Sequence, residues 1–470
     1  MLVPFQLSAA PPNILWFIVD DMSPDFSCYG ETLIRTPAVD GLAARGVRFT
    51  HAFVTAPVCS PCRSALITGC YQTTIGSHHH RSGRGTEKIH LPANVEPIPA
   101  IFQRAGYFTC VGGPLVEKTQ NLGKTDYNFE WNPSIYAGND WSKRQPGQPF
   151  FAQIQLHGGK YRGQGPNKTW NDLASRLFSS RTNPKKVSLP IYYPRDPVLL
   201  EDEANYLDTV RLTDQQVLTV LDRLKQEGLL DNTVIFFMTD HGKSHARGKQ
   251  FCYDDGLHVP LIISGPGIPT AAIRDDLVQQ IDLAPTSLAL AGLPIPPSMQ
   301  GRDLFAKNYQ PREFIFAARD RCDETVDHIR AVRSRDFKYI RNHLPERPML
   351  QSNGYKDGKA IVQRLRQLHA SHQLTPLQEE LLFSARRPAE EIYDLVHDPQ
   401  EIHNLAGESA YQSTLERMRQ TLLEWEEQTA DLGRQPESPA MFESDMAVYA
   451  SERSAWPPKK QATSKPEKSN

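Results

Sequence analysis

The sequence predicts an α/β protein whose main sheet is covered by helices on both faces. Two apolar runs carry that reading, Asn13-Ile14-Leu15-Trp16-Phe17-Ile18-Val19 and Thr233-Val234-Ile235-Phe236-Phe237-Met238. Both have strand length and lack the alternation of a half-exposed sheet, so both faces of each strand should be buried. Helical patterns lie between these runs, which argues for parallel or mixed strands joined by helical crossovers. With 470 residues and 39% apolar content, the chain can bury one large core and carry a smaller second unit.

Residues 1–12 read as an N-terminal extension. Met1 to Ala10 is mostly apolar and ends in Leu7-Ser8-Ala9-Ala10, like the remnant of a signal peptide without its basic start. The first strand ends in Asp20-Asp21. Thr36 to Phe49 reads as a helix, with Pro37 near its start, Val39, Leu42 and Ala43 on one face, and Gly46 towards its end. Pro99 to Arg104 reads as a short helix leading through Gly106 into a strand at Tyr107 to Val111. Pro149 to Leu156 repeats the strand pattern and stops at His157. Asp202 to Glu227 is a long periodic helix, with Tyr206, Val210, Val217, Leu221 and Leu224 on its buried side. The second apolar strand follows it and ends in Thr239-Asp240-His241-Gly242.

These elements define a main unit over residues 13–305. Short strands at Phe314 to Ala318, Ile329 to Val332 and Phe337 to Arg341, with an amphipathic helix at Tyr411 to Gln428, define a C-terminal α+β subdomain over residues 306–435. Residues 436–470 are rich in Pro, Ser and Lys and read as an extended or disordered tail. A formal net charge of −2 gives no general attraction to nucleic acid or acidic membranes, so anion binding must come from a local cluster. No apolar stretch approaches the roughly 18 residues of a spanning helix.

Functional groups on such a sheet gather at the carboxyl ends of its strands. Asp20-Asp21, His157 and Asp240-His241 all hold that position. Adjacent carboxylates repel one another unless a cation lies between them, so a divalent metal is the simplest explanation of their convergence. Cys59-Ser60-Pro61-Cys62-Arg63 opens a helix, with Pro61 at an early position, and would aim backbone N–H groups and Arg63 at an anion. The competing reading is a Cys-x-x-Cys redox or half-zinc site. A redox pair does not require Arg63, and the other five cysteines supply no second close pair for zinc.

Cys-x-Pro-x-Arg with Thr68-Gly69 downstream resembles the signature of type I sulfatases, the formylglycine-dependent branch of the alkaline phosphatase superfamily. The resemblance implies that a formylglycine-generating enzyme oxidises Cys59 to an aldehyde, which hydrates to a geminal diol. One diol oxygen attacks sulfur and the alcohol leaves. The other then loses its proton and sulfate is expelled, a release that a simple serine ester cannot perform. In this reading Arg63 holds the diol, and Lys124 (in Gly123-Lys124-Thr125-Asp126) and Lys249 (in Gly248-Lys249-Gln250-Phe251) bracket the sulfate. His157 protonates the leaving group, and Asp126, which replaces the family's usual histidine, is the candidate base. Asp20, Asp21, Asp240 and His241 are the implied ligands of Ca2+. Mn2+ and Mg2+ are the alternatives, because His241 offers nitrogen where many members have asparagine.

His78-His79-His80-Arg81, with Lys160 and Arg162, would fringe the substrate mouth and give it more positive charge than one sulfate needs. The implied substrate is a sulfated oligosaccharide of a glycosaminoglycan or algal polysaccharide, cleaved at an O-sulfate or an N-sulfate. Glu391-Ile392-Tyr393-Asp394-Leu395 resembles the closing segment common to sulfatases, and Asp320-Arg321-Cys322-Asp323-Glu324 resembles a segment of bacterial polysaccharide sulfatases and heparan N-sulfatase-like proteins. The implied fold is the alkaline-phosphatase-like sandwich with a small C-terminal α+β subdomain. The implied location is periplasmic or secreted, with the cytoplasm as the alternative. Two rival functions share these residues, a phosphonate monoester or phosphodiester hydrolase and a non-converted sulfoglycan-binding relative.

Overall fold

The computed structural model describes residues 10–115, 121–163, 168–244 and 246–454. The expected leader at Met1 to Ala9 and the end of the chain after residue 454 lie outside them. Strand β1 (Asn13–Val19) stands inside a mixed sheet completed by β2 (Gly46–Phe53), β3 (Phe108–Gly112), β4 (Phe150–Leu156), β5 (Thr233–Thr239), β6 (His258–Ser264), β7 (Ala272–Arg274) and β8 (Val278–Gln279). The order is β3-β4-β1-β5-β6-β2-β7, and β8 pairs with β2. β3, β4, β1 and β5 run parallel, whereas β6 is antiparallel to both β5 and β2.

The unbroken apolar character of β1 has a direct cause. Successive side chains point to opposite faces. Ile14, Trp16 and Ile18 enter one core layer together with Cys62, Leu66 and Ile67 of the Cys59–Thr68 helix. Leu15, Phe17 and Val19 enter the other, against Val210, Val217, Val220 and Leu224 of the Pro197–Gln226 helix. Trp16 satisfies its indole by donating from Nε1 to Ser287 Oγ (2.9 Å).

The helix expected over Thr36 to Phe49 is a helix only over Pro37–Ala44, and the chain then turns into β2. Pairing with β6 decides this: a Cβ at Gly46 would stand 2.2 Å from the Ile263 carbonyl oxygen, so glycine is what lets the two strands meet.

The C-terminal sheet is antiparallel, ordered β12-β11-β10-β9, with β9 (Ile315–Arg319), β10 (Ile329–Arg333), β11 (Phe337–Asn342) and β12 (Glu390–Asp394). The Gln412–Gln428 helix packs on it through Leu415, Met418, Leu422 and Trp425, against Val332, Tyr339 and Ile392.

The segment after residue 436 departs from expectation, because Pro439–Ser454 is a helix. Its anchor is polar. Asp445, only 3% exposed, accepts from the Gly83 backbone N–H (3.0 Å) and from Arg321 Nη2 (2.6 Å). Ser444 Oγ accepts from the Glu87 N–H (3.0 Å), and Arg321 also grips Glu437 through Nε and Nη2 (2.7 Å each). Removing Asp445 leaves Arg321 with Glu437 and takes the acceptor from the part-buried Gly83 N–H. Asp445→Ala should therefore cost about 2 kcal/mol of stability, read as a lower urea or thermal midpoint. An unchanged midpoint would mean that this helix is not held there.

Candidate active site

Sheet register brings the expected residues together. The Asp20 N–H donates to the Leu156 carbonyl (2.9 Å) and the Asp240 N–H to the Val19 carbonyl (2.8 Å), so the ends of β1, β4 and β5 lie side by side. After β4 the chain turns sharply at Gly158 (φ 48°), where a Cβ would stand 2.2 Å from the Asp20 carbonyl oxygen. That turn sends Lys160 back over the carboxylates.

Cys59 begins its helix and is 3% exposed. Its Sγ lies 3.2 Å from His241 Nε2, 3.3 Å from Lys249 Nζ and 3.7 Å from Lys160 Nζ. Burial alone would raise the thiol, but the ammonium groups of Lys124, Lys160 and Lys249 outweigh it and draw its pKa down to about 7. Cys62, one turn on, points into the core, and burial pushes its thiol well up. The two form no disulfide. Only Cys59 is placed and charged for reaction, which disfavours the redox-pair reading.

Arg63 is buried and ties the strand ends together. Nε donates to Asp240 Oδ2 (3.0 Å), Nη2 to Asp20 Oδ1 (2.5 Å) and Nη1 to Gln155 Oε1 (2.5 Å). Lys124 Nζ sits 2.8 Å from Asp20 Oδ1, and Lys160 Nζ 2.8 Å from Asp20 Oδ2. Lys249 Nζ contacts Asp21 Oδ1 (3.1 Å) and lies over the Tyr355 ring, whose hydroxyl donates to Asp21 Oδ2 (2.8 Å). Burial opposes ionisation of Asp20 and Asp21, and these cations hold both carboxyls well below the usual range.

The donors suit a divalent cation. Ligand atoms of Asp21, Cys59, Asp240 and His241 all lie within 4.8 Å of one another. His241 Nδ1 faces the Gly242 carbonyl (2.8 Å), so that nitrogen carries the proton. Nε2 faces Asp21 Oδ1 (3.3 Å) and Asp240 Oδ1 (3.5 Å); burial opposes charging the ring, but Asp240, Cys59 and Asp21 outweigh it and raise the imidazole above its ordinary range. A divalent cation displacing the Nε2 proton would take that lone pair and the two carboxylate oxygens together. Asp20 stands one step back, with both oxygens engaged by Arg63, Lys124 and Lys160.

The outer candidates divide. Asp126 pairs with Lys124 (3.5 Å) and with Arg84, which together overcome burial and hold its carboxyl far below the usual range. A base so depressed is weak. His157 is exposed at the end of β4 and stacks on Tyr161 (5.2 Å). His80 Nδ1 bonds Ser60 Oγ (2.8 Å), directly beside Cys59, while Arg81 is partly exposed and pairs with Glu452 (3.6 Å). His78 and His79 pack against each other, and His79 Nδ1 accepts from the Arg321 N–H (3.2 Å), so they serve the 320–323 loop. Arg162 corrects the expectation of a substrate contact. It is 5% exposed, pairs with Asp202 (3.3 Å) and stacks on Tyr206 (5.0 Å), committed to the Pro197–Gln226 helix. Sequence reasoning missed Gln155 and Tyr355, and it placed Lys160 at the fringe rather than in contact with Asp20 and Cys59.

Asp21, Arg81, Asp126, Gln250 and Asp323 all adopt left-handed backbone (φ 55°, 57°, 60°, 78° and 51°). Such strain in non-glycine residues gathers where surrounding contacts fix a site.

A reactive cysteine at a helix start, ringed by cations and carboxylates at adjacent strand ends, is the arrangement of the sulfatases. A family profile described as sulfatase matches residues 12–293, and one described as N-sulphoglucosamine sulphohydrolase, C-terminal, matches residues 242–349. The chain belongs to the sulfatase family, and it is a sulfuric ester hydrolase. It is 33% identical to a protein named ulvan-active sulfatase from Formosa agariphila, over 91% of this chain and 76% of that one. It is 26% identical to N-sulphoglucosamine sulphohydrolase of Homo sapiens, over 90% and 81% of the two chains. The solved structure of a 2-O GAG sulfatase superposes with a TM-score of 0.63 at 20% identity, covering 92% of this chain and 96% of that one. The fold is the alkaline-phosphatase-like sandwich.

Proposed function

We propose that this sulfatase hydrolyses sulfate esters of a sulfated oligo- or polysaccharide, with Cys59 matured to formylglycine and a divalent cation at Asp21, Asp240 and His241, completed by Asp20. The observation that carries this reading is the contact of Cys59 Sγ with His241, Lys249 and Lys160 above paired carboxylates. The similarity to the ulvan-active and N-sulphoglucosamine enzymes supports a sulfated carbohydrate as substrate. Calcium is the proposed metal, since three of the four side chains offer carboxylate oxygen.

When present, the formylglycine hydrate supplies the nucleophile and its second hydroxyl, and the metal supplies Lewis acidity. The chain's own residues do the rest. Lys124, Lys160 and Lys249 converge on Asp20, Asp21 and Cys59 and would neutralise the charge of a sulfate bound there. Arg63 fixes the spacing of Asp20 and Asp240. His157, exposed at the end of β4, is the proposed donor of a proton to the departing alcohol. Asp126, too depressed to act as base, holds Lys124 in position. Maturation calls for a formylglycine-generating enzyme. A polymeric substrate fits action outside the cytoplasm, in the periplasm or beyond. No helix among the described residues is long and apolar enough to cross a membrane.

The test is turnover of defined sulfated oligosaccharides beside an aryl sulfate and an aryl phosphonate. The sulfated saccharides should be hydrolysed with the highest kcat/KM. A preference for the phosphonate would overturn the proposal. In the same assay Lys160→Ala should lower kcat/KM by about a hundred-fold, the scale of removing one charge-stabilising donor. Arg162→Ala should change it far less, and equal losses would return Arg162 to the substrate mouth.

A further inference from the structure

The inner pocket accounts for one sulfate. Beside it lies an open cavity of about 380 Å3, lined by Arg84, Lys124, Asp126, Tyr127 and Trp131. Lys124 belongs to both, since its ammonium bonds Asp20 inside while its chain borders the outer space. A substrate whose sulfate is held at Lys124 has this cavity, with Arg84 and Trp131, beside it for its next sugar.

The lining suits an acidic sugar. Trp131 is partly buried and set edge-on against Tyr127 (5.4 Å) and Tyr136 (6.0 Å), which fixes its ring. Arg84 is about a quarter exposed, and among the described residues only its Nη2 is engaged, by Asp126. Nη2 carries two hydrogens and Asp126 takes one, so one of the two bidentate edges, Nε/Nη2 or Nη1/Nη2, remains for a planar or tetrahedral anion, gripped through two parallel hydrogen bonds. Arg84 is also pre-set. The Gly83 N–H on one side is held by Asp445, and the Glu87 N–H on the other by Ser444. Asp126 keeps its left-handed backbone between two cations. A rigid site loses less entropy on binding than a mobile one.

We infer that this cavity is a sugar subsite in which Arg84 recognises a second anionic group, carboxylate or sulfate, on the residue next to the scissile sulfate. The inference rests on the sulfatase reading above, and the test separates the two. Calorimetric binding is measured with Cys59→Ala protein, so that no turnover is needed. The probes are three sulfated disaccharides: one with a uronic acid, its carboxyl-reduced counterpart, and one with a second sulfate instead of the carboxylate. Adding Arg84→Ala should weaken the acidic probes about ten-fold and the reduced one much less, and the larger loss tells carboxylate from sulfate. Trp131→Ala should weaken all three alike. Arg84→Gln, with thermal unfolding beside it, guards against simple misfolding of the alanine variant. Equal losses across the probes, or none, would overturn the subsite. Should the unmutated enzyme turn over no sulfated saccharide while the binding difference persists, the proposed substrate fails and the subsite stands.

Discussion

Cys59→Ala is expected to abolish turnover of sulfate esters, a loss of about a thousand-fold or more. Cys59→Ser is expected to react once at most and then remain sulfated. The difference follows from oxygen count. Serine has one hydroxyl, so once that oxygen holds sulfate nothing on the same carbon can expel it. The surrounding charge would still bind the anion, since Lys124, Lys160, Lys249 and Arg63 are untouched by either change. Cys59→Ser should therefore show a sub-stoichiometric burst and a modified peptide, and Cys59→Ala neither. Sustained hydrolysis by Cys59→Ala would remove Cys59 from the chemistry.

Asp240→Ala is expected to lose bound metal and most activity. The carboxylate is fully buried at the end of β5, where it accepts from Arg63 Nε (3.0 Å) and from the Asp21 N–H (3.2 Å). Its removal deletes a ligand oxygen, leaves Arg63 with Asp20 and Gln155, and loosens the backbone that presents Asp21. A ligand bound only by the native state stabilises it by mass action, about 3 to 4 kcal/mol at a hundred to a thousand times its Kd. Chelation of the parent enzyme should lower its unfolding midpoint on that scale, and Asp240→Ala should be insensitive to chelator. Full metal occupancy by elemental analysis, with a chelator response like the parent's, would take Asp240 out of the site.

Much of this arrangement is legible in the sequence. The apolar runs ending in Asp20-Asp21, Leu156-His157 and Asp240-His241 mark strands buried on both faces, and parallel pairing puts those ends side by side. Other parts are not. Lys160 and Arg162 are two residues apart in a single segment and read alike as outer cations. The Gly158–Gly163 turn is a 3-10 helix, so positions two apart point about 120° away from each other; one meets Asp20 and Cys59, the other Tyr206. Tyr355 reaches Asp21 from far along the chain, with no local pattern to announce it. The Pro439–Ser454 helix was hidden because its anchor is Asp445 against Arg321, a polar contact that leaves no apolar periodicity. The change of direction at Gly46 depends on the β6 backbone, which a helical count from Val39 to Ala43 cannot register.

Cys59 is proposed to act as formylglycine. Mass spectrometry of the peptide spanning Cys59, from active protein produced alongside a formylglycine-generating enzyme, tests it most directly. The peptide should have exchanged its thiol for an aldehyde and should react with a hydrazide, in proportion to specific activity. Full sulfatase turnover from protein whose Cys59 is entirely an unmodified thiol would contradict that role.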